Sequence, residues 1–526
     1  MSDLLVVLPD ALLFGSLCFL VLVAAFLNSR CILRWASIAT VLGYLWSVTY
    51  QTHHISELIA IGDAHFKSLF VLDASSLGMK TFAGIVTLLV IIFLESIVFA
   101  SAPEKAKEGV IIVLFGLLGA SIMVGASHYL MSYLGLELLS LALVVLIAWG
   151  LETEQLEAAI KYFILSSLAS GILLFGVSLI YGATGHLNFV SSALVRYPLY
   201  NMYTIGQILI VAGVAFKLGW VPFHFWISDV YASARWYTIV ALSSLSKIGI
   251  IGFMMRLYDT GVFSSNVIAS QFIIVLSILS ILIGNILGVQ QKSLRRILAY
   301  SSIANMGYIG LALVCRTGAP FYLAIYILNT LVMASILFSR FGHALDINLE
   351  DIKGFALKHP YQGALLTFTM FSFAGLPITP GFWAKWHVFK GFFAQYSPWF
   401  AIFIIIGTLV GTFYYVRIVK YLYEDVDAKD TEINSKITPA ISSSFSYGMS
   451  LSIVVIALLW STVAPDALLS WSERITGKGT ATLEEAARLP VASPHAVFTT
   501  KAIPLKVPTL QKSLNNPLVN PMPPVQ

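Results

Sequence analysis

Residues 216–224 read FKLGWVPFH and place a lysine, a glycine and a proline inside a long apolar segment. Proline removes a helix hydrogen bond and clashes with the preceding turn, so this segment is predicted to break. A second stretch of the same kind, GLPITPGFWAK, occupies residues 375–385 and ends in a lysine. Because a broken helix at membrane depth is tolerated only inside protein or beside a water-filled cavity, the two stretches predict a membrane protein with a polar interior.

The composition of the chain supports the same class. Of 526 residues, 58% are hydrophobic and 11% are charged, whereas a soluble domain carries about 25% charged residues. The apolar runs are about 20 residues long, as transmembrane helices require, and a transmembrane β-barrel would show shorter alternating segments. The net charge of +5 is spread through short loops and does not indicate nucleic-acid binding. We therefore predict an all-α polytopic membrane protein.

The apolar runs predict about fourteen transmembrane helices. They lie near residues 4–27, 32–50, 75–100, 109–126, 128–150, 158–183, 203–220, 237–259, 268–289, 296–315, 319–340, 361–390, 399–423 and 447–470. The two interrupted stretches begin about 160 residues apart, at 216 and 375. This spacing predicts two five-helix repeats, which must be inverted because the number of helices is odd. On that pairing, Lys217 and Lys385 are predicted to be equivalent.

Five segments follow from this organisation. They are an N-terminal three-helix segment (1–108), a first half-channel repeat (109–260), a second half-channel repeat (261–425), a final helix with its preceding loop (426–470), and a tail (471–526). Eight of the 19 prolines follow residue 489, so the polar tail cannot span a bilayer. Its scattered apolar residues slightly favour extended contact with a partner over disorder.

Four charged residues lie in the middle of predicted spans: Glu137, Lys217, Lys247 and Lys385. A charge at this depth costs at least about 3 kcal/mol, and such residues usually line an ion or proton path. Loss of hydration disfavours a buried ammonium, which makes buried lysines candidate proton carriers. His224 follows the first break, and imidazole can relay protons. The structural alternatives are a glutamate bonded to a neighbouring backbone group or serine, a histidine packed or solvated at a loop edge, and lysines that only stabilise helix breaks.

Cofactor motifs are missing from the sequence. The three cysteines, Cys18, Cys31 and Cys315, form no paired or haem-binding motif, and neither a GxGxxG nor a Walker motif occurs. We therefore predict that the chain itself holds no redox cofactor, nucleotide or metal ion.

The loops at 101–108, 290–295 and 341–360 are richer in lysine and arginine than the loops on the opposite side. By the positive-inside rule, these basic loops face the cytoplasm. Both termini are then predicted to lie outside the cytoplasm, which agrees with an even number of spans.

Several motifs resemble the antiporter-like membrane subunits of respiratory complex I, the proton-pumping NADH:quinone oxidoreductase. They are GLELLS (135–140), EAAIKYFILSS (157–167), FK with VPFHFW (216–226), QKSLRR with AYSSIA (291–304), and GLPITPGF leading to the lysine at 385. The resemblance covers roughly residues 1–470, and within the family it is strongest to the N type (NuoN type).

The resemblance implies a role for each candidate residue. Glu137 and Lys217 would form a charge pair in the first half-channel. Lys247 would be the central relay, Lys385 the exit-side proton carrier, and His224 part of the cytoplasmic input. NADH, FMN, iron–sulfur clusters and quinone would belong to other subunits of the complex. The implied partners are neighbouring membrane subunits and the lipid bilayer of a bacterial inner membrane, with no nucleic acid.

Two places depart from the family pattern. After Tyr231, where the family usually has Gly-Ala-Pro, residues 232–237 read ASARWY, so Arg235 adds an unexpected charge. Asn305 stands where a histidine commonly follows the Tyr-Ser-Ser run. Asparagine can hold a water molecule but cannot titrate, so a relay at that point must differ.

Two other functions are compatible with the sequence. One is a subunit of a multi-subunit sodium/proton antiporter that works without a redox partner. The other is a non-pumping structural spacer in which the lysines only stabilise the helix breaks.

Overall fold

The computed structural model describes residues 5–26, 30–55, 68–101, 103–193, 200–264, 266–342, 347–425 and 445–476. These ranges contain seventeen helices of nine or more residues. In chain order they are α1 (Leu8–Phe26), α2 (Arg30–His53), α3 (Ala74–Ser101), α4 (Pro103–Gly125), α5 (Tyr129–Ala148), α6 (Thr153–Thr184), α7 (Tyr200–Leu218), α8 (Phe225–Ser233), α9 (Trp236–Asp259), α10 (Val267–Gln290), α11 (Leu294–Cys315), α12 (Ala319–Phe341), α13 (Pro360–Ala374), α14 (Pro380–Gln395), α15 (Pro398–Tyr423), α16 (Phe445–Val463) and α17 (Pro465–Ile475).

Single helical turns at Phe189–Ser192, Leu349–Ile352 and Phe355–Lys358 complete the regular structure of the described residues. Apart from three isolated bridges, those residues form no β-structure. The predicted all-α membrane class is therefore confirmed. Most of the tail predicted at 471–526 lies outside the described residues, although α17 crosses its predicted start.

The number of spans differs from the prediction. Within the described ranges, eleven helices are long and apolar enough to cross a membrane, or twelve if α16 and α17 count as one span bent by 90°. The exact number of fourteen is therefore not confirmed. Two further predicted spans correspond to α2 and to the pair α13 and α14. Helix α2 is more polar, and α13 and α14 are each too short to cross a bilayer alone. The last predicted span is shorter than expected, because its helix ends at Val463.

Three central helices are surrounded by protein. Helix α9 contains an apolar stretch of 18 residues, all of which are buried. In the corresponding stretches of α11 and α12, 94% of the residues are buried. In α1 and α15 that share is only 33%. A helix that is apolar all round belongs in the interior of a bundle. The interior position of α9 places Lys247 away from the bilayer.

Both predicted helix breaks are present, and they share one local geometry. Helix α7 ends at Leu218 and is followed by Gly219 with φ +77°; helix α13 ends at Ala374 and is followed by Gly375 with φ +80°. Glycine adopts this left-handed conformation without steric cost and commonly ends helices. The helices therefore end at these glycines, before the prolines from which the breaks were predicted.

Close contact between α6 and α7 positions the first candidate lysine. A Cβ atom added to Gly176 would lie 2.6 Å from the carbonyl oxygen of Gly206, so the two backbones touch. Small residues permit such close helix packing in membranes. The contact brings Ser166 of α6 within hydrogen-bonding distance of Lys217 of α7.

A buried ion pair, which the sequence analysis missed, joins the first helices. Asp10 of α1 accepts hydrogen bonds from Lys80 of α3 at 2.6 Å and from Ser121 of α4 at 2.5 Å. The hydroxyl groups of Tyr44 of α2 and Ser121 are 2.9 Å apart. Four helices thus meet at one buried carboxylate, whose signal in the sequence was a charged residue within each of two mainly apolar helices, Asp10 in α1 and Lys80 in α3.

Candidate functional site

Lys217 lies in the last turn of α7 and is only 3% exposed. Its Nζ donates hydrogen bonds to Ser140 Oγ of α5 at 2.6 Å and to Ser166 Oγ of α6 at 2.5 Å. The amine is therefore held by two neutral hydroxyl groups from two different helices. These serines were part of the recognised motifs, but the sequence did not indicate that they bind the lysine.

Glu137 does not contact Lys217 directly. It lies one turn before Ser140 on α5, is partly exposed, and its buried Oε1 has no hydrogen-bond partner among the described residues. Among the ion pairs of the described residues, none within 4.0 Å includes Glu137. The predicted charge pair is thus not a direct contact, because Ser140 occupies the position beside the amine. The orphaned oxygen also does not support the alternative of a serine-bonded glutamate.

Lys247 stabilises the end of the first broken helix. Its Nζ donates to the carbonyl oxygens of Lys217 at 3.2 Å and Leu218 at 2.9 Å, and lies 6.0 Å from the centre of the Trp226 ring. The last carbonyls of a helix lack helical partners and carry partial negative charge. Lys217 and Lys247 therefore meet at one helix end, where a change in charge on either side chain alters the electrostatic field at the other.

Lys385 makes the same kind of contact at the second break. Its Nζ donates to the carbonyl oxygens of Phe373 at 2.9 Å and Ala374 at 2.8 Å, and lies 5.1 Å from the centre of the Tyr308 ring. The structural counterpart of Lys385 is thus Lys247, since each bonds the last two carbonyls before a left-handed glycine.

The predicted equivalence of Lys217 and Lys385 therefore does not extend to their hydrogen bonds. Lys217 lies two residues before Gly219, and the residue two before Gly375 is Phe373. The prediction rested on how close each lysine lies to a break along the sequence. That distance does not show which helix end the lysine side chain contacts.

His224 is buried in the irregular stretch between α7 and α8. Its ring stacks on Phe225 with centroids 4.5 Å apart, and Nδ1 has no hydrogen-bond partner among the described residues. In the same part of the structure, no hydrogen bond joins it to the four charged residues. The structure therefore shows a packed histidine with one free ring nitrogen, near the first break in sequence but not bonded to the lysines.

The two departures from the family pattern have separate structural outcomes. Arg235 donates to Glu152 Oε1 at 3.1 Å, so the unexpected charge is paired at the start of α9, away from the lysines. Asn305 is buried in α11, where its Oδ1 accepts from the Tyr322 hydroxyl at 2.9 Å and its Nδ2 donates to the Ser301 carbonyl at 2.8 Å.

Lys217, Lys247 and Lys385 share one chemical environment. The described residues place hydroxyl or carbonyl oxygens on each amine and no carboxylate within 4.0 Å. A fixed ion pair would stabilise the ammonium strongly, whereas dipolar partners allow the proton to leave. Across the described ranges, no group of three or more His, Cys, Asp or Glu side chains could hold a metal ion. The absence of a cofactor remains a prediction.

Comparison with known proteins gives consistent matches. Residues 126–411 match the family described as "NADH:quinone oxidoreductase/Mrp antiporter, TM", a range that contains all five candidate residues. NADH-quinone oxidoreductase subunit N from Methylovorus glucosotrophus (strain SIP3-4) is 36% identical over 452 residues, covering 83% of this chain and 92% of the relative.

Solved structures show the same architecture. A chain in respiratory complex I from Thermus thermophilus with bound aureothin matches with a TM-score of 0.72 and 25% identity, covering 88% of this chain and 98% of that one. A chain of the Mrp complex from Dietzia sp. DQ12-45-1b matches with a TM-score of 0.73 over 91% and 99% of the two chains, but at 19% identity it shows the fold alone. The resemblance found in the sequence motifs is confirmed: the chain belongs to the NADH:quinone oxidoreductase/Mrp antiporter family of membrane proteins and, within it, to the relatives of NADH-quinone oxidoreductase subunit N.

Proposed function

We propose that this chain is a proton-translocating membrane-arm subunit of an NADH:quinone oxidoreductase. The observation that carries the proposal is the placement of Lys217, Lys247 and Lys385. Each amine is buried, lies at or beside a helix break, and is held by neutral oxygens. Buried ionisable residues at membrane depth are by default proton or ion sites. NADH, FMN, iron–sulfur clusters and quinone would be bound by other subunits.

The mechanism that we propose begins at Glu137. This residue borders a face of α5 on which Leu134 and Leu141 are exposed, so a neighbouring membrane subunit could pack there. A charge change in that neighbour would act on the Glu137 carboxylate and, through space, on the amine of Lys217. Because no carboxylate of the described residues forms an ion pair with Lys217, its proton affinity would respond to that change.

From Lys217 the proton would pass through Lys247 to Lys385. Lys247 bonds the backbone of Lys217 itself, so these two side chains are coupled over a short distance. His224, buried with a free ring nitrogen, would receive protons on the cytoplasmic side. The transfer is electrostatic and requires no redox group in this chain.

Replacement of Lys217 by alanine tests the function directly. In membrane vesicles that carry the intact complex, Lys217→Ala should lower NADH-driven proton pumping by about tenfold or more, as expected when a positioned proton carrier is removed. Lys390→Ala is the matched control, because Lys390 lies on α14 near Lys385 but is exposed. Assembly is checked on a native gel. Parental pumping in an assembled Lys217→Ala complex would contradict the proposal and favour the structural spacer.

A sodium/proton antiporter subunit is the second candidate, supported by the fold shared with the Mrp complex chain. The two functions differ in their driving force. NADH addition should acidify inverted vesicles without any sodium gradient if the chain works in an oxidoreductase. Proton movement that requires an imposed sodium gradient and ignores NADH would favour the antiporter.

The proposal includes an orientation of this multi-pass protein in a bacterial inner membrane. Both termini would lie outside the cytoplasm, because the basic loops at 290–295 and 341–360 are placed inside by the positive-inside rule. A C-terminal reporter that is active only outside the cytoplasm should therefore be active. Activity of a reporter that functions only in the cytoplasm would reverse the orientation.

A further inference from the structure

Four buried side chains of α11, α12 and α15 form a continuous hydrogen-bonded group, which we call the Asn305 network: Tyr322, Asn305, Ser301 and Tyr415. The Tyr322 hydroxyl donates to Asn305 Oδ1 at 2.9 Å. Asn305 Nδ2 lies 3.3 Å from Ser301 Oγ, which is 2.5 Å from the Tyr415 hydroxyl. Helices α11, α12 and α15 each contribute to this group, and all four side chains are almost completely buried.

Each end of the Asn305 network packs against a residue that contacts Lys385. The ring of Tyr322 stacks on Tyr308, the aromatic ring over which the lysine amine lies. The ring of Tyr415 is nearly parallel to that of Phe373, with centroids 5.8 Å apart, and the Phe373 carbonyl accepts a hydrogen bond from the lysine. The network is therefore linked to the surroundings of the amine through two different residues, Tyr308 and Phe373.

Helix α11, on which Asn305 lies, also contacts the first broken segment. The carbonyl of Met306, which follows Asn305 in α11, accepts a hydrogen bond from Trp220 Nε1 at 2.8 Å. Trp220 lies two residues after Leu218, whose carbonyl is bonded by Lys247. Helix α11, which carries Asn305 and Ser301 of the network, thus contacts Trp220 of the first broken segment.

We propose that Asn305 is a positioning residue for proton transfer from Lys247 to Lys385. Hydroxyl groups both donate and accept, so each can release its proton while it takes up another, with no net change in charge. An amide side chain does not titrate in this way, and Asn305 instead fixes the hydroxyls of Tyr322 and Ser301 on its two sides. Water between these hydroxyls would complete the transfer. This inference rests on the proposed function.

A purely structural role makes a different prediction. A single interhelical hydrogen bond in a membrane contributes little stability, so loss of one hydroxyl should leave an assembled complex active if the network only holds helices together. If the network carries protons, the same loss should slow pumping although assembly is normal.

Single-atom changes distinguish the two roles. Tyr322→Phe and Tyr415→Phe each remove one hydroxyl and keep the stacked ring, and each should lower NADH-driven pumping by about tenfold. Tyr326→Phe is the matched control: Tyr326 lies one turn away on α12, is equally buried and also packs against Phe373, but its hydroxyl donates to Ser302 at 2.8 Å and not to the network. No hydrogen bond in the described residues joins that pair to Asn305. The control should pump at the parental rate.

A solvent isotope measurement adds a readout that misfolding would not change. If proton transfer becomes rate-limiting, the ratio of rates in H₂O and D₂O should rise in Tyr322→Phe and stay parental in Tyr326→Phe. Asn305→Leu should behave like Tyr322→Phe, whereas Asn305→His, which again offers both a donor and an acceptor, should retain pumping.

Parental pumping in assembled Asn305→Leu and Tyr322→Phe complexes would overturn the inference. Lys385→Ala in the same vesicles separates this outcome from failure of the proposed function. If Lys385→Ala stops pumping and the network variants do not, only the role of the Asn305 network is wrong. If Lys385→Ala also pumps normally, the proposed proton path itself is wrong.

Discussion

At the residue scale, the notable feature of Lys217 is the nature of its partners. Two serine hydroxyls, from Ser140 and Ser166, occupy the positions at which a carboxylate would form a strong ion pair. A hydrogen bond between a neutral group and a charge contributes about 1.5–3 kcal/mol, which is less than the cost of burying the charge. The protonated lysine is thus only moderately stabilised, and small changes in the surrounding charge can shift its protonation.

The serines should therefore matter for pumping. Simultaneous Ser140→Ala and Ser166→Ala substitution should lower NADH-driven pumping severalfold, because the amine loses both hydrogen-bond acceptors, each worth about 1.5–3 kcal/mol when charged. Ser170→Ala is the matched control, since Ser170 lies one turn further along α6 and its buried hydroxyl has no partner among the described residues. Equal pumping by the double variant and the control would show that the serines do not tune the lysine.

At the element scale, the two broken helices end in the same hydrogen-bonding arrangement. The lysine that completes it comes from a different kind of helix in each case. Each break begins with a left-handed glycine, and each exposes two carbonyl groups to a lysine amine. The first lysine comes from the separate helix α9, whereas the second comes from α14, the continuation of the broken helix itself. The breaks thus resemble one another in hydrogen bonding but not in chain connectivity.

Gly375→Ala tests this arrangement. A Cβ atom at Gly375 would lie 2.7 Å from Lys385 Cδ, and the φ of +80° disfavours any side chain. We expect a loss of about 1 kcal/mol or more in stability from the backbone alone, and reduced pumping because the lysine must move. The control is Gly171→Ala on α6, where nothing lies within 4 Å of an added Cβ. Thermal stability and pumping of the assembled complex that match the control would argue against this cap geometry.

At the scale of the whole molecule, the N-terminal helices are joined to the bundle by a polar contact. The Asp10–Lys80 pair is buried on both sides and lies outside the range that matches the family model. A buried ion pair adds little net stability compared with apolar residues, but removal of one partner leaves an uncompensated charge. The pair therefore specifies how α1 and α3 pack together.

Lys80→Met should destabilise the chain by about 3–5 kcal/mol because it leaves Asp10 buried and unpaired. The double variant Asp10→Asn with Lys80→Met should recover most of that loss, since no buried charge remains and the amide oxygen introduced at position 10 can still accept a hydrogen bond from Ser121. The amount of assembled complex after graded heating reports both effects. A single variant as stable as the parent would mean that the pair does not control packing of these helices.

The sequence by itself determined the properties that depend on neighbouring residues in the chain. Hydropathy over about 20 residues established the all-α membrane class, the glycine–proline stretches located both breaks, and isolated charges in apolar runs identified Glu137, Lys217, Lys247 and Lys385. Short motifs were sufficient for the family, because they consist of consecutive residues.

Only the tertiary structure decided which groups meet. Lys217 bonds a serine 77 positions earlier in the chain, and Ser301 contacts a tyrosine 114 positions later. The sequence therefore could not show that Lys385 and Lys247 bond helix ends in the same way, that Glu137 Oε1 has no hydrogen-bond partner among the described residues, or that Asp10 and Lys80 form an ion pair. The physical reason is that a buried polar group must find a partner wherever helix packing places one, and that placement is not encoded in local spacing.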